Sequence, residues 1–412
     1  MISEVESKVL DIIENSRDDI IEFLRRLIRA RSDNPPGLYE EVSRVVMDEF
    51  EKLGFEVEVI EVPMEIVKSY GLETRRINVL GWIRGDGKTT IALQPHLDVV
   101  PPGEGWKVDP FGAEIIDDWI YGRGAADCKG SLAAYTYAAA ALREAGVKIN
   151  GNLVVVGSVD EETGGFLGAK YLLDKGYIHA DMAIVEGGTY SIRHATNGCL
   201  WMKVTSIGKT AHASSPENGI DAIRKMHLIM TTLYEYQNNI RKRKCSIEGI
   251  DHPTMVITMI KGGMKENVVC DKCEIRFDRR ITPEENPEEV EEELINLLKN
   301  LMKVDSELNI KWERLLLAKP AGPTPMNSPL ITALKNAGRK VLNEELPVKG
   351  MTGFADSRFY WEKGIPFVHY GAGPRDPKDA RAHGPNERIK IEDLINGTKV
   401  LAIALLNLIG PK

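Results

Sequence analysis

The chain has 412 residues, of which 43% are hydrophobic, 28% charged and 7% aromatic. This composition excludes a disordered chain, a collagen-like repeat and a small disulfide scaffold, and the length suits two domains of roughly 100–200 residues each. The formal net charge of −8 argues against a nucleic-acid-binding protein and against a polybasic membrane-binding protein.

The cysteines and the N-terminal segment predict a cytoplasmic protein. Five scattered cysteines are an odd number, which favours reduced thiols. The first residues are acidic and amphipathic rather than basic and then apolar, so we expect no signal peptide. No apolar run approaches the length of a membrane span. Only two glutamines accompany many charged residues, which suggests a thermophilic host.

Helices and strands are predicted to alternate in the first half of the chain. Apolar periodicity predicts helices over residues 5–28, 39–53, 130–146 and 167–176, and strands over 55–62, 78–93, 152–159 and 181–187. Gly85 and Gly87 predict that the segment 78–93 folds back on itself as a hairpin. The alternation predicts an α/β sheet with helices on both faces.

From residue 193 the order of elements changes. Strands are predicted over residues 200–207, 255–260, 268–277 and 308–313, and helices over 219–243 and 287–302. This order is the ferredoxin-like split motif. From residue 315 an α/β pattern resumes, with helices over 330–342 and 391–409 and a strand over 367–370. We therefore predict a catalytic α/β domain of residues 1–192 and 315–412, interrupted by an inserted α+β domain of residues 193–314.

Side chains that bind metals gather where predicted elements begin or end. The set comprises His96, Asp98, Asp127, Glu161, Glu162, Glu186 and His383. In open α/β sheets, ligands bind outside the carboxyl ends of the strands, so we expect most of these side chains to meet there. Two imidazoles with three or four carboxylates are a ligand set that suits Zn²⁺. This set fits two ions that share a bridging carboxylate better than it fits one ion. Asp98 is placed to accept the second ring N–H of His96.

Four short motifs resemble one family. They are Gly105-Trp106, Asp109-Pro110-Phe111, Tyr121-Gly122-Arg123-Gly124 and Asp127-Cys128-Lys129-Gly130. Together they resemble the signature of the co-catalytic zinc amidohydrolases, which include succinyl-diaminopimelate desuccinylase, acetylornithine deacetylase, aminoacylase and glutamate carboxypeptidase. The resemblance covers essentially the whole chain. It implies a mixed-sheet α/β/α zinc-peptidase-like catalytic domain, an inserted ferredoxin-like dimerisation (lid) domain and a homodimer.

The resemblance also implies a role for each residue of the metal site. Asp127 would bridge two Zn²⁺ ions, with His96 and Glu186 completing the shell of one ion and Glu162 and His383 that of the other. Glu161 would be the general base. The peptide bond between Asp127 and Cys128 would be cis.

Further motifs match in the inserted domain and after it. His212, in the segment 208–214, would reach into the partner subunit's active site and stabilise the tetrahedral intermediate. Asn267 and Arg280 resemble the region that holds the substrate carboxylate, and Thr352 and Gly353 the glycine-rich substrate loop. Phe354 departs from the Gly-Thr-Ser-Asp string of the desuccinylases.

The resemblance implies a metal-dependent hydrolase that cleaves the amide bond of an N-acylated amino acid, like acetylornithine deacetylase or succinyl-diaminopimelate desuccinylase. Water activated by two Zn²⁺ ions would attack the amide carbonyl, with Glu161 as the base. Co²⁺ or Mn²⁺ could replace Zn²⁺. Two alternatives stay open: a carboxypeptidase or dipeptidase of the same fold, and a metal-binding paralogue without activity. The expected partners are a small N-acyl amino acid or short peptide and a second copy of the chain.

Overall fold

The computed structural model describes residues 2–411. It divides into two compact units. The first unit comprises the chain up to His194, the segment Thr324–Lys349 and the chain from Ala355 onward, and the second comprises Ala195–Pro323 and Gly350–Phe354. The second unit therefore extends nine residues beyond the predicted boundary at residue 314 and includes a short segment from the predicted substrate loop.

The described residues form helices and strands in both units. The α-helices are α1 (Glu4–Asn15), α2 (Arg17–Arg29), α3 (Glu40–Lys52), α4 (Met64–Ser69), α5 (Lys129–Glu144), α6 (Ala169–Asp174), α7 (Ala222–Ile240), α8 (Pro287–Val304), α9 (Pro329–Val341), α10 (Ser357–Glu362), α11 (Pro377–Ala380) and α12 (Ile391–Ile409). The strands are β1 (Glu56–Glu61), β2 (Ile77–Arg84), β3 (Thr90–Gln94), β4 (Glu114–Ile116), β5 (Trp119–Tyr121), β6 (Asn152–Gly157), β7 (Met182–Val185), β8 (Ile192–Thr196), β9 (Gly198–Ile207), β10 (Thr254–Gly262), β11 (Lys272–Ile281), β12 (Asn309–Ala318), β13 (Val348–Met351), β14 (Phe367–His369) and β15 (Arg388–Lys390).

The predicted mixed α/β sheet is confirmed. Eight strands lie in the order β1-β2-β6-β3-β7-β14-β8-β13. The neighbours β6, β3, β7 and β14 are parallel, whereas β1, β2 and β6 pair antiparallel. A small second sheet, β15-β5-β4, was not predicted from the sequence because its strands are only three residues long.

The hairpin predicted over residues 78–93 is wrong. β6 lies between β2 and β3, pairing antiparallel with the first and parallel with the second. A Cβ atom at Gly85 would lie 2.2 Å from the carbonyl oxygen of Ile149, so the segment before β6 packs directly against the turn. Gly85 is therefore required by close backbone packing rather than by a hairpin turn.

Helix α5 packs in the interior of the first unit. Every residue from Lys129 to Leu142 is buried. Its run of alanines lets α12, α2 and α1 approach closely, and its inner side packs against β6. This packing fixes the N-terminal end of α5, directly after Asp127. Among the described helices, none combines the length and apolar composition needed to cross a bilayer.

The second unit has the predicted order of elements. Along the chain the elements follow one another as β9, α7, β10, β11, α8 and β12. The four strands form an antiparallel sheet in the order β10-β11-β9-β12. Leu200, Met202 and Val204 of β9 point into a core shared with α7 and α8. The intervening side chains of β9 point to the opposite face of the sheet, because successive side chains of a strand alternate.

Candidate active site

Parallel strands bring four of the predicted ligand and base residues to one edge of the large sheet. The carboxyl ends of β3, β6 and β7 lie at the same edge because these strands are parallel. His96 follows β3, Glu161 and Glu162 follow β6 in a single 3₁₀ turn, and Glu186 directly follows β7. The strand-end positions thus account for the shared location of these side chains.

Asp127 lies between two imidazoles. Its Oδ1 is 3.2 Å from Nε2 of His96, and its Oδ2 is 3.3 Å from Nε2 of His383. Oε2 of Glu162 is 3.1 Å from the same nitrogen of His383. One ligand atom each of His96, Asp127 and Glu162 lie within 4.8 Å of one another. These donors suit a divalent transition metal, and a carboxylate between two imidazoles is suited to bridge two ions.

Hydrogen bonds between Asp127, Glu162 and the two imidazoles shift the pKa values of Asp127 and His383. Burial raises the pKa of Asp127, but the hydrogen bonds with His383 and His96 outweigh it and hold the pKa well below its usual range. Hydrogen bonds to Asp127 and Glu162 raise the pKa of His383 to about 10. The Asp127–Cys128 peptide bond is cis, as the family resemblance implies.

Glu161 and Glu186 are acids in a dehydrated environment. Burial raises the pKa of Glu186 to about 8. Burial also raises the pKa of Glu161 well above its usual value, and the negative charges of Asp356, Glu162 and Glu186 raise it further. The side chain of Glu161 accepts no hydrogen bond from residues 2–411. A half-buried carboxylate with a raised pKa is a typical general base.

Asp98 contacts the turn that carries the two glutamates. Its Oδ1 accepts a hydrogen bond from the backbone N–H of Glu161, and its Oδ2 one from that of Glu162, both at 3.1 Å. Nδ1 of His96 is 2.9 Å from the backbone carbonyl oxygen of Asp98 and 3.5 Å from its carboxylate. The carbonyl oxygen is therefore the nearer acceptor for the ring, and the carboxylate mainly fixes the turn.

A buried network that the sequence did not reveal holds the same turn. Asp160 precedes Glu161 and has a φ of 63°, in the left-handed region. Its Oδ2 accepts a hydrogen bond from Nε of Arg76 at 2.8 Å, and its Oδ1 accepts one from the hydroxyl of Tyr39 at 2.8 Å. Nδ2 of Asn34 lies 2.9 Å from Oδ1 of Asp160. Arg76 and Asp160 form an ion pair in which both side chains are buried.

A second buried ion pair supports Asp127. The backbone N–H groups of Ala126 and Asp127 both donate to Oε1 of Glu387 at 3.0 Å. The other oxygen of Glu387 accepts a hydrogen bond from Arg123. Sequence motifs identified Arg123 but not Glu387, which lies 264 residues further along the chain. The pair orients the peptide that carries the proposed bridging carboxylate.

Asp356, which ends the substrate-loop motif at residues 352–356, is a buried acid to which the sequence analysis assigned no role. Neither of its carboxylate oxygens has a hydrogen-bond partner within the described chain. Burial raises its pKa to about 7, although the positive charges of Arg358 and His96 oppose the shift. It lies against Gly165, just after the turn that carries Glu161. The first unit thus holds one more carboxylate near the proposed base than the motifs indicate.

The second unit contains the other five predicted site residues. His212 is exposed, and its backbone forms a bridge with Val268. The N–H of Ala213 donates to the carbonyl of Asn267, so His212 and Asn267 lie on adjacent segments. Arg280 lies on β11, and Thr352 and Gly353 directly follow β13.

Comparison with known proteins shows a family match over most of the chain. The profile of peptidase family M20/M25/M40 matches residues 92–407. A metallohydrolase of Methanococcus maripaludis is 31% identical over 420 residues, covering 93% of this chain and 97% of the relative. The acetylornithine deacetylase of Pectobacterium carotovorum is 35% identical over 238 residues, covering 57% of this chain and 59% of the relative.

Solved structures share the fold at lower sequence identity. An M20 family metallo-carboxypeptidase from Sulfolobus solfataricus is similar with a TM-score of 0.74 and 22% identity, covering 94% of this chain and 97% of that one. A dinuclear metal-binding M20 family peptidase from Bacillus subtilis is similar with a TM-score of 0.68 and 16% identity, covering 96% of this chain and 99% of that one.

Removal of the Asp160 carboxylate should destabilise the protein strongly. The substitution Asp160→Ala leaves the guanidinium of Arg76 buried without its counter-ion, which typically costs about 3–5 kcal/mol. Asp86→Ala is the control, since its pair with Lys148 is exposed, and should change stability by less than about 0.5 kcal/mol. Urea unfolding followed by circular dichroism measures both. Equal stability of the two variants would contradict the structural role of the Arg76–Asp160 pair.

Proposed function

Since the chain belongs to peptidase family M20/M25/M40, we propose that it hydrolyses the amide bond of a small N-acylated amino acid with the help of two Zn²⁺ ions. As a member of that family it is a metal-dependent hydrolase of the peptidase and amidohydrolase class. The proposal concerns the finer points: the substrate, the number and identity of the ions, and the role of each residue.

The observation that carries the proposal is the position of Asp127 between His96 and His383. We propose that Asp127 bridges the ions, that His96 and Glu186 complete one shell, and that Glu162 and His383 complete the other. The dinuclear metal-binding peptidase of Bacillus subtilis, which has the same fold, supports a count of two. Nitrogen and oxygen ligands accept Co²⁺ or Mn²⁺ as well as Zn²⁺.

Glu161 supplies the proton transfers of the proposed reaction. Metal ions held by these residues would polarise the substrate carbonyl and increase the acidity of water. The Glu161 carboxylate takes a proton from the attacking water molecule while the new carbon–oxygen bond forms. When the carbon–nitrogen bond breaks, Glu161 returns this proton to the amine nitrogen. The raised pKa of Glu161 makes its carboxylate a stronger base than an ordinary glutamate.

The second unit supplies the proposed binding residues. His212 reaches into the active site of the partner subunit and stabilises the negative charge that develops on the carbonyl oxygen. Arg280 and Asn267 bind the substrate carboxylate, and Thr352 and Gly353 belong to the loop that contacts the substrate. A guanidinium is well suited to bind a carboxylate with two parallel hydrogen bonds.

A carboxypeptidase or dipeptidase activity is the second candidate. The fold similarity to the metallo-carboxypeptidase of Sulfolobus solfataricus favours it, whereas the identity to the Pectobacterium acetylornithine deacetylase favours deacylation. Both reactions need the same ions and the same base, and they differ in the group on the acyl side of the cleaved bond. Hydrolysis of N-acetyl and N-succinyl amino acids compared with dipeptides distinguishes them. A cytoplasmic location stays a prediction.

The substitution Glu161→Gln should abolish proton transfer but retain metal binding. We expect kcat to fall by roughly 10²–10⁴-fold on the best substrate, as for the loss of a general base. Steady-state kinetics with metal-reconstituted protein measures the effect, and metal content is measured on the same sample. Glu162→Gln is the adjacent control, which should lose bound metal as well as activity. A Glu161→Gln variant with the activity of the wild type would rule out the proposed base.

We also propose that the chain forms a homodimer through the second unit. β10 is an edge strand of the four-stranded sheet. Val256, Met259 and Ile260 of β10 are exposed. The helix α7, which packs against β10, adds the exposed apolar residues Ile223, Leu228 and Tyr234. An exposed edge strand with apolar side chains is suited to pair with another copy.

Charge on the edge strand should dissociate the dimer. The substitution Ile260→Lys places an ammonium where an apolar side chain would be buried, and should weaken association by roughly 30-fold or more. Val304→Lys is the control, because Val304 is 88% exposed at the end of α8. Analytical ultracentrifugation measures the molar mass of both. A wild-type monomer, or an Ile260→Lys dimer as tight as that of the control, would contradict this interface.

A further inference from the structure

The sheet of the second unit carries an aromatic cluster on the face opposite α7 and α8. Trp201 of β9 lies directly across from Asp278 of β11, and Arg280 lies two residues further along β11 on the same face. Phe354, from the segment Gly350–Phe354, lies against this face. We call Trp201, Asp278, Arg280 and Phe354 the aromatic subsite.

The four side chains of the aromatic subsite contact one another in a closed ring. The indole N–H of Trp201 donates to Oδ2 of Asp278 at 2.7 Å, and Nε of Arg280 donates to Oδ1 of the same carboxylate at 2.9 Å. The guanidinium of Arg280 lies 5.5 Å from the centre of the Phe354 ring. The rings of Phe354 and Trp201 meet edge to face, 6.2 Å apart. These contacts fix the orientation of Arg280 before any ligand binds.

Arg280 retains binding capacity in this arrangement. Its Nε is used by Asp278, whereas its two terminal nitrogens donate to no group among residues 2–411. The side chain of Trp201 is 37% exposed beside it. The subsite therefore offers the two terminal nitrogens of Arg280 as hydrogen-bond donors to a carboxylate, next to an accessible aromatic surface.

The acids on this face of the sheet are already paired with cations. Asp278 pairs with Arg280, Glu274 with Arg276, and Glu313 with Lys203. A ligand side chain that carries an ammonium group would find no unpaired carboxylate among these residues. A second ligand carboxylate would have to compete with Glu274 for Arg276 and with Glu313 for Lys203, the two cations next to the subsite on β11 and β9. An uncharged, apolar side chain meets neither obstacle.

Resting on the proposed function, we infer that the aromatic subsite binds the carboxyl-bearing residue of the substrate and selects an aromatic or large aliphatic side chain. Arg280 binds the carboxylate, and the rings of Trp201 and Phe354 cover the side chain. The preferred substrates are then N-acyl derivatives of amino acids such as phenylalanine or leucine, rather than of ornithine or diaminopimelate.

Kinetics on matched substrates tests this inference. With metal-reconstituted protein, kcat/KM for N-acetyl-L-phenylalanine should exceed that for N-acetyl-L-alanine and for N-acetyl-L-ornithine by roughly 10-fold or more, the range typical of apolar pockets. Trp201→Ala and Phe354→Ala should each lower kcat/KM for the phenylalanine derivative by roughly 10-fold, mainly through KM. The loss should be smaller for the alanine derivative, which offers the rings almost no side chain to cover, so the preference for the phenylalanine derivative should narrow. Trp201→Phe should keep most of the preference.

The control is a second exposed aromatic pair. The rings of Tyr171 and Tyr177 stack at 6.1 Å, and Tyr177 is 38% exposed, close to the value of Trp201. Tyr177→Ala should change neither kcat/KM nor its dependence on the side chain. Equal losses on all substrates in Trp201→Ala, or a wild-type preference for the ornithine derivative, would overturn the inference.

Failure of the proposed function can be separated from failure of the subsite. If the wild type hydrolyses none of these substrates, the proposed function fails, and the subsite is tested by calorimetric titration with free L-phenylalanine and L-ornithine. Tighter binding of L-phenylalanine, lost in Trp201→Ala, would support the subsite on its own. Equal binding of the two amino acids would overturn it.

Discussion

Mutual repulsion among buried carboxylates is the constraint on which the structure of the first unit depends. Asp356 is buried and Glu161 and Glu186 are half-buried, and desolvation raises the pKa of each. Removing an anion from water is costly unless a cation or hydrogen-bond donors compensate for it. A site that concentrates such groups at one edge of a sheet is incomplete without positive charge. Divalent cations held by the carboxylates and the two imidazoles would meet that need.

The scaffold around the site compensates for the acids that no ion would reach. Arg76 pairs with Asp160, and Arg123 pairs with Glu387, each in a buried pair. Each pair also fixes a backbone segment that carries a proposed ligand. Structural ion pairs therefore hold the two loops, while the groups left for the metal ions accept few hydrogen bonds from the described chain. Rigid loops of this kind reduce the cost of assembling a metal site.

The common location of the strand-end residues could be predicted from the sequence, because it depends on local patterns. His96 and Glu186 each follow a short buried strand, and the alternation of helices with such strands predicts a common edge. The supporting residues depend on distant contacts instead: Asn34 and Asp160 are 126 residues apart, and Arg123 and Glu387 are 264 residues apart. No local pattern marks such pairs. The insertion of β6 between β2 and β3 escaped prediction for the same reason, since strand order is a long-range property.

Metal stoichiometry tests the central claim, that Asp127 bridges two ions, most directly. Apo protein is titrated calorimetrically with Zn²⁺, alongside the variants His383→Ala and Asp127→Ala. The account predicts two ions per chain in the wild type, one in His383→Ala because the ligands of the other ion remain, and loss of tight binding in Asp127→Ala because both ions share that carboxylate. A single ion in the wild type, or two ions retained in Asp127→Ala, would contradict it.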